Sequence, residues 1–124
     1  MTPAPHLLIV EDNPDIGATL QMALEPQWRV TLCMSGREAL AALRTQRPAV
    51  VLLDLMLPDC DGSQLAAQFA ALGCSDLPIV VLSAAPDLQR RAEALGASAW
   101  LRKPFDIGEL EAKLASLAAR PCGV

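Results

Sequence analysis

Aromatic residues are scarce in this chain: two Trp, two Phe and no Tyr among 124 residues. The core must therefore come from Ala, Leu, Val and Ile, and an apolar content of 52% is ample for one domain. There is a single histidine, His6, and the four cysteines, Cys33, Cys60, Cys74 and Cys122, include no CxxC pair. That spacing excludes a zinc-ribbon ligand set and leaves free, reduced thiols as the expected state. Basic residues are also few, 10 Lys and Arg against 14 Asp and Glu, for a formal charge of −4. Binding to a phosphate backbone or an anionic bilayer draws on clustered cations, so protein partners are expected, without direct nucleic-acid or membrane contact. No apolar run approaches the roughly 20 residues that span a bilayer, and no basic-then-apolar leader stands at the start, which points to a cytoplasmic protein. Both glycine-rich phosphate loops, GxxxxGK[ST] and GxGxxG, are missing, so nucleotide binding through such a loop lacks its key residues.

The sequence does contain a regular alternation of apolar strand-like runs with helical patterns. His6 to Val10 reads as a first strand, stopped abruptly by the polar run from Glu11 to Pro14. Asn13 can cap a helix with Pro14 at its first position; Ile16, Leu20, Ala23 and Leu24 then repeat at helical spacing until Pro26. Arg29 to Met34 predicts a second strand, and Ser35 with Glu38 a capping box for a helix carrying Ala39, Leu40 and Leu43. Ala49 to Leu53 is unbroken apolar chain ending at Asp54, the pattern of a strand covered on both faces. A loop with Pro58 and Gly62 leads to a helix through Leu65, Ala66, Phe69 and Leu72, and Asp15, Asp59 and Asp61 read as turn formers or caps. Ile79 to Leu82 predicts the fourth strand with Ser83 at its end; Asp87 then caps a short helix with Leu88, Ala92 and Leu95, stopped by Gly96. Ala99 to Arg102 is the fifth strand, and Asp106 with Glu109 a second capping-box candidate before Ile107, Leu110, Leu114 and Leu117. The whole chain, 1–124, reads as one α/β domain, a doubly wound five-stranded parallel sheet flanked by five helices, with its core in 6–118 and a frayed tail at 119–124.

Sheets of this kind bind ligands beyond the carboxyl ends of their strands, and the polar residues stand there. Glu11 and Asp12 follow the first strand and Asp54 ends the third. Three converging carboxylates would repel one another, so a cation is expected among them; with no His or Cys nearby, hard oxygen ligands favour Mg²⁺. A carboxylate can attack phosphorus once the incoming charge is neutralised. Lys103 is placed to help neutralise it, and Ser83 adds a hydroxyl donor, with Ala84 leaving room for a phosphoryl group.

Taken together, LLIVEDN, VVLLDLMLPDCDG, IVVLSA and WLRKPF resemble the receiver domain of two-component response regulators, over residues 6–118. The resemblance implies a flavodoxin-like fold of the receiver type. It makes Asp54 the phospho-acceptor, Glu11 and Asp12 the metal-binding pair, and Met56 the residue whose carbonyl completes the metal site. Ser83 and Lys103 match the residues that meet the phosphoryl group, Trp100 the switch aromatic, and Lys103-Pro104 the family's cis peptide. In two respects the chain departs from that pattern. Trp100 is bulkier than the usual Tyr or Phe, and the Ser83–Lys103 segment is slightly short, with the loss falling in the loop or helix after Ser83. The implied partners are a sensor histidine kinase or histidine phosphotransfer protein and a downstream protein or covalently linked output domain. A phosphorylation-dependent homodimer through the last helices is a further expectation if Leu88, Arg91 and Ala92 face outward.

Two rival readings come from other classes. An aspartate-nucleophile phosphatase of the haloacid-dehalogenase type also uses a strand-end Asp with Mg²⁺. It wants a second Asp two residues on, where this chain has Met56. A phosphorylation-independent pseudo-receiver would be marked by loss of Asp12, Asp54 or Lys103, and all three are present.

Overall fold

In the computed structural model, which describes residues 4–25, 27–74 and 76–118, the apolar runs form five strands. They are β1 (His6–Val10), β2 (Arg29–Cys33), β3 (Val50–Asp54), β4 (Ile79–Ser83) and β5 (Ala99–Arg102). The helices between and after them are α1 (Pro14–Leu24), α2 (Gly36–Thr45), α3 (Gly62–Ala71), α4 (Leu88–Leu95) and α5 (Ile107–Ala118). The expected helix stop at Pro26 and the expected tail 119–124 with Cys122 lie outside the described residues.

All the strands pair in parallel, in the order β2-β1-β3-β4-β5. Every residue of β1, β3 and β4 is buried, whereas the edge strands β2 and β5 are partly open, as expected where a neighbour is lacking on one side. Alternation along the strands splits the core in two. Leu8, Val10, Val51, Leu53 and Val81 pack under α2, α3 and α4, with Phe69 at 1% exposure; Leu7, Ile9, Leu52, Val80 and Leu82 pack under α1 and α5. Strand order reverses between β1 and β3, so the chain leaves these neighbours toward opposite faces and opens a crevice at their carboxyl ends. Glu11 and Asp54 stand at that crevice.

Local chemistry sets the helix ends. Asn13 Oδ1 accepts from the N–H of Asp15 at 2.9 Å and of Ile16 at 3.2 Å, with Pro14 at the first helical position. Gly96 ends α4 in the left-handed region at φ 81°, which favours glycine. The expected capping boxes are modified. Ser35 Oγ accepts from Glu38 N–H, but the Glu38 carboxylate accepts from Met34 N–H instead of returning to Ser35. Asp106 accepts from Glu109 N–H, whereas the complete reciprocal box is at Asp61 and Gln64.

Several expectations on α3, α4 and β2 are corrected. Asp87 makes no side-chain cap; its carboxylate turns to Arg90 at 3.3 Å. Leu88 and Ala92 are buried at 1% and 0% exposure, so they point into the core and cannot furnish an outward dimer face, and Arg91 is bound to Asp61 at 2.9 Å. Leu72 follows the end of α3 and is 41% exposed, and β2 stops at Cys33, leaving Met34 outside it. The described cysteines, Cys33, Cys60 and Cys74, are free thiols, and burial first, then Glu38's charge, pushes Cys33 up to about 11. Among the described residues no helix is long and apolar enough to cross a membrane.

Candidate functional site

The site is built by strands that end in polar residues at one edge of the sheet. Register pairs Val10 with Leu53 and Asp54 with Leu82, so the residues following β1 and those ending β3 and β4 are neighbours in space. Glu11 is 2% exposed and Asp54 6%; Asp12, one residue on, is exposed. One carboxylate oxygen from each of Glu11, Asp12 and Asp54 lies within 4.8 Å of the others. The donors are all oxygen, two of the carboxylates are buried and the third opens to solvent, which suits a hard divalent cation that keeps part of its water shell.

Lys103 closes the other side. Its Nζ donates to Glu11 Oε1 at 2.7 Å and to Asp54 Oδ2 at 3.1 Å, bridging two buried carboxylates that would otherwise repel. Burial pushes the Glu11 carboxyl above its ordinary value; the Lys103 hydrogen bond opposes that rise and the Asp54 charge adds to it. For Lys103 itself burial pulls downward, and the hydrogen bonds and charges of Glu11 and Asp54 more than reverse it, so the ammonium is held charged. Backbone donors finish the setting. Met56 N–H donates to Asp54 Oδ1 at 3.0 Å, and Asn13 N–H to Glu11 Oε2 at 3.2 Å. Lys103-Pro104 is a cis peptide.

The remaining expected residues lie around this centre with different degrees of engagement. Ser83 is 1% exposed, and its Oγ accepts from Ala85 N–H at 3.1 Å, a local turn that leaves the hydroxyl proton available. Met56 has a 65% exposed side chain, consistent with a role confined to its backbone. Trp100 is half-buried on β5, paired with Val81 and packed against the core layer beneath α4. The arrangement can hold a cation among three oxygens, present a carboxylate to an electrophile and neutralise new negative charge with one ammonium.

Three contributors escaped the sequence reading. Gly62 is no mere loop residue: a Cβ there would lie 2.9 Å from Leu55 Cα and 3.2 Å from the Asp54 carbonyl oxygen, so the start of α3 rests directly on the chain after Asp54. Asp59 reaches back to α2, accepting from Gly36 N–H at 2.8 Å and Arg37 N–H at 3.1 Å. The third is a groove of about 550 Å³ beside Lys103, lined by Ile16, Leu20, Phe105 and Ile107 among others. Only the Gly62 position could have been suspected, from the glycine following an Asp.

Comparison with known proteins agrees with this geometry. The sequence model of the response regulator receiver domain matches residues 7–115. Response regulator MprA of Mycolicibacterium vanbaalenii is 37% identical over 118 residues, covering 93% of this chain and 51% of that protein. The probable transcriptional regulatory protein TcrX of Mycobacterium tuberculosis is 35% identical over 117 residues, covering 92% and 50%. The chain thus spans about half the length of these curated relatives. Among solved structures, a putative response regulator from Chloroflexus aurantiacus superposes with a TM-score of 0.87 at 30% identity, covering 95% of this chain and 100% of that one. With its strand order, its acidic cluster and its bridging lysine in place, this chain belongs to the response regulator receiver domain family of two-component systems.

Proposed function

We propose that the chain accepts a phosphoryl group on Asp54 from a histidine kinase or histidine phosphotransfer protein and switches partner binding in response. The observation that carries this reading is Lys103 Nζ set between Glu11 and Asp54, two members of the three-carboxylate cluster. Asp54 acts as nucleophile: a bond forms between its carboxylate oxygen and phosphorus while the phosphorus–nitrogen bond to the donor imidazole breaks, the electron pair leaving with nitrogen. Met56 N–H orients the Asp54 carboxylate for that attack. Lys103 then exchanges one carboxylate for a phosphoryl oxygen and offsets the added charge. Ser83 turns its hydroxyl proton toward another phosphoryl oxygen, and Trp100 is the aromatic on β5 that follows that movement.

Glu11, Asp12 and Asp54, with the Met56 carbonyl, would hold Mg²⁺, which when bound supplies positive charge against the incoming phosphoryl group. The same residues serve the later hydrolysis, so the domain catalyses both its own phosphorylation and its own dephosphorylation. The apolar groove beside Lys103 supports docking of a phosphodonor protein next to Asp54. The recipient of the signal is a downstream protein or a covalently linked output domain, the second reading supported by curated relatives about twice as long as this chain.

Incubation with acetyl phosphate and Mg²⁺ tests the proposal. The wild-type chain is expected to take up label that chelation of the metal prevents and Asp54→Asn abolishes. Equal labelling of Asp54→Asn removes the assignment, and no labelling of the wild type by acetyl phosphate or by a phosphorylated histidine donor favours a docking module that works without phosphorylation.

A further inference from the structure

Ser83 and Arg102 are partners in the β4–β5 register. Arg102 is an exposed residue at the very end of β5, yet its guanidinium folds onto the chain that follows Ser83. Nη1 donates to the Ala85 carbonyl at 2.5 Å and Nη2 to the Pro86 carbonyl at 3.4 Å. Both backbone polar groups of Ala85, which lie in two successive peptide units, are engaged elsewhere too. Its N–H donates to Ser83 Oγ at 3.1 Å, and its carbonyl also accepts from Leu88 N–H at 3.2 Å in the first turn of α4. Asp87, which stands where a cap for α4 would be, makes no such cap. Arg102 on β5, together with the Ser83 hydroxyl on β4, therefore ties the segment between Ser83 and α4 to the sheet edge.

This tie opposes the movement required of Ser83. To donate to a phosphoryl group on Asp54, Ser83 must rotate about its Cα–Cβ bond. Either Ala85 follows the hydroxyl or their hydrogen bond is lost. A guanidinium with two donors on two successive carbonyls resists the first course, because the fork geometry of arginine fixes both peptide units at once. We propose that Arg102 is a positioning residue that latches the Ala84–Asp87 segment to β5 in the unphosphorylated protein and so restrains the turn of Ser83 toward the phosphoryl group. The proposal rests on the phospho-acceptor reading of Asp54. By reciprocity, whatever binds better when the segment is free binds more tightly once the latch is removed.

Calorimetric titration of the Mg²⁺-loaded protein with beryllofluoride, a phosphoryl mimic, compares wild type with Arg102→Ala; amide hydrogen exchange at Ala85 and the urea midpoint are followed in parallel. The latch predicts that Arg102→Ala binds the mimic about fivefold more tightly, near the lower end of typical site-to-site couplings because Arg102 is exposed. It also predicts faster exchange at the Ala85 amide with an unchanged urea midpoint. An affinity equal to or weaker than that of the wild type overturns the latch, and tighter binding without any change at the Ala85 amide overturns this segment as its route. A wild type that binds no beryllofluoride at all overturns the phospho-acceptor reading and the latch with it.

Discussion

Replacing Lys103 with methionine keeps a stem of similar shape as far as Cε and removes the charged ammonium from between two buried carboxylates. Glu11 is 2% exposed and loses the partner at 2.7 Å; Asp54, at 6%, loses the partner at 3.1 Å. Leaving one half of a buried pair uncompensated costs about 3–5 kcal/mol. The protein has a cheaper way out, which is to protonate Glu11. With an ordinary value of 4.5 for that carboxyl, binding the proton at pH 7 costs about 3.4 kcal/mol, at about 1.36 kcal/mol per pH unit. At pH 5.5 the same proton costs about 1.4 kcal/mol. Protonation sets the ceiling, and it sets the pH dependence as well. A carboxyl whose folded-state value is raised binds its proton more readily when folded, so stability is recovered as pH falls and lost as pH rises through the folded value. Urea unfolding of wild type and Lys103→Met at pH 7 and pH 5.5 should therefore show a loss near 3 kcal/mol that shrinks by up to about 2 kcal/mol at the lower pH. Mg²⁺ should restore more stability to the variant than to the wild type, because the cation replaces the missing positive charge. A variant as stable as wild type at pH 7, or one whose loss grows as pH falls, refutes the reasoning.

Two further perturbations probe other parts of the account. His6 is 7% exposed, its Nε2 is bonded to Thr31 Oγ1 at 2.7 Å, and burial, followed by the charge of Arg29, lowers its pKa. The unfolded chain thus takes up the proton first, so the His6 contribution is present above about pH 6.5 and is lost as pH falls toward the folded value. Urea midpoints between pH 7.5 and 5.5 should decline less in His6→Gln than in wild type, and parallel declines would count against the effect. Gly62→Ala places a Cβ 2.9 Å from Leu55 Cα, a backbone atom that cannot swing aside. A loss of about 1–3 kcal/mol is expected by thermal or urea unfolding, with slower acetyl phosphate labelling because the strain falls beside Asp54, and a neutral substitution would disprove the close contact.

Much of the candidate site was legible because its residues stand at or just beyond the ends of apolar runs. Glu11, Asp54 and Ser83 end stretches whose length and β-branching mark them as interior strands, and parallel strands place their ends side by side. Lys103 was legible for the same reason, although its bridging of Glu11 and Asp54, 92 and 49 residues away, depends on distances that only the folded chain sets. Asp59 shows where local reading stops. It was read as a turn former or cap, and it does cap a helix, but the helix is α2, reached across 23 residues. The orientation of α4 was ambiguous for a different reason: Leu88 and Ala92 share a face in any helix, and only the position of β4 and β5 decides that this face looks inward. Arg102 reads from sequence as an exposed strand end, and its grip on Ala85 and Pro86 follows from the path of a loop that carries no periodic signal.

Intact mass and peptide mapping of the chain after exposure to acetyl phosphate and Mg²⁺ test the central claim most directly. The account predicts one added phosphoryl group, labile to base and to hydroxylamine as an acyl phosphate is, located at Asp54 in the stretch 50–61. A phosphoryl group on a serine or threonine, or on any carboxylate other than Asp54, would contradict it.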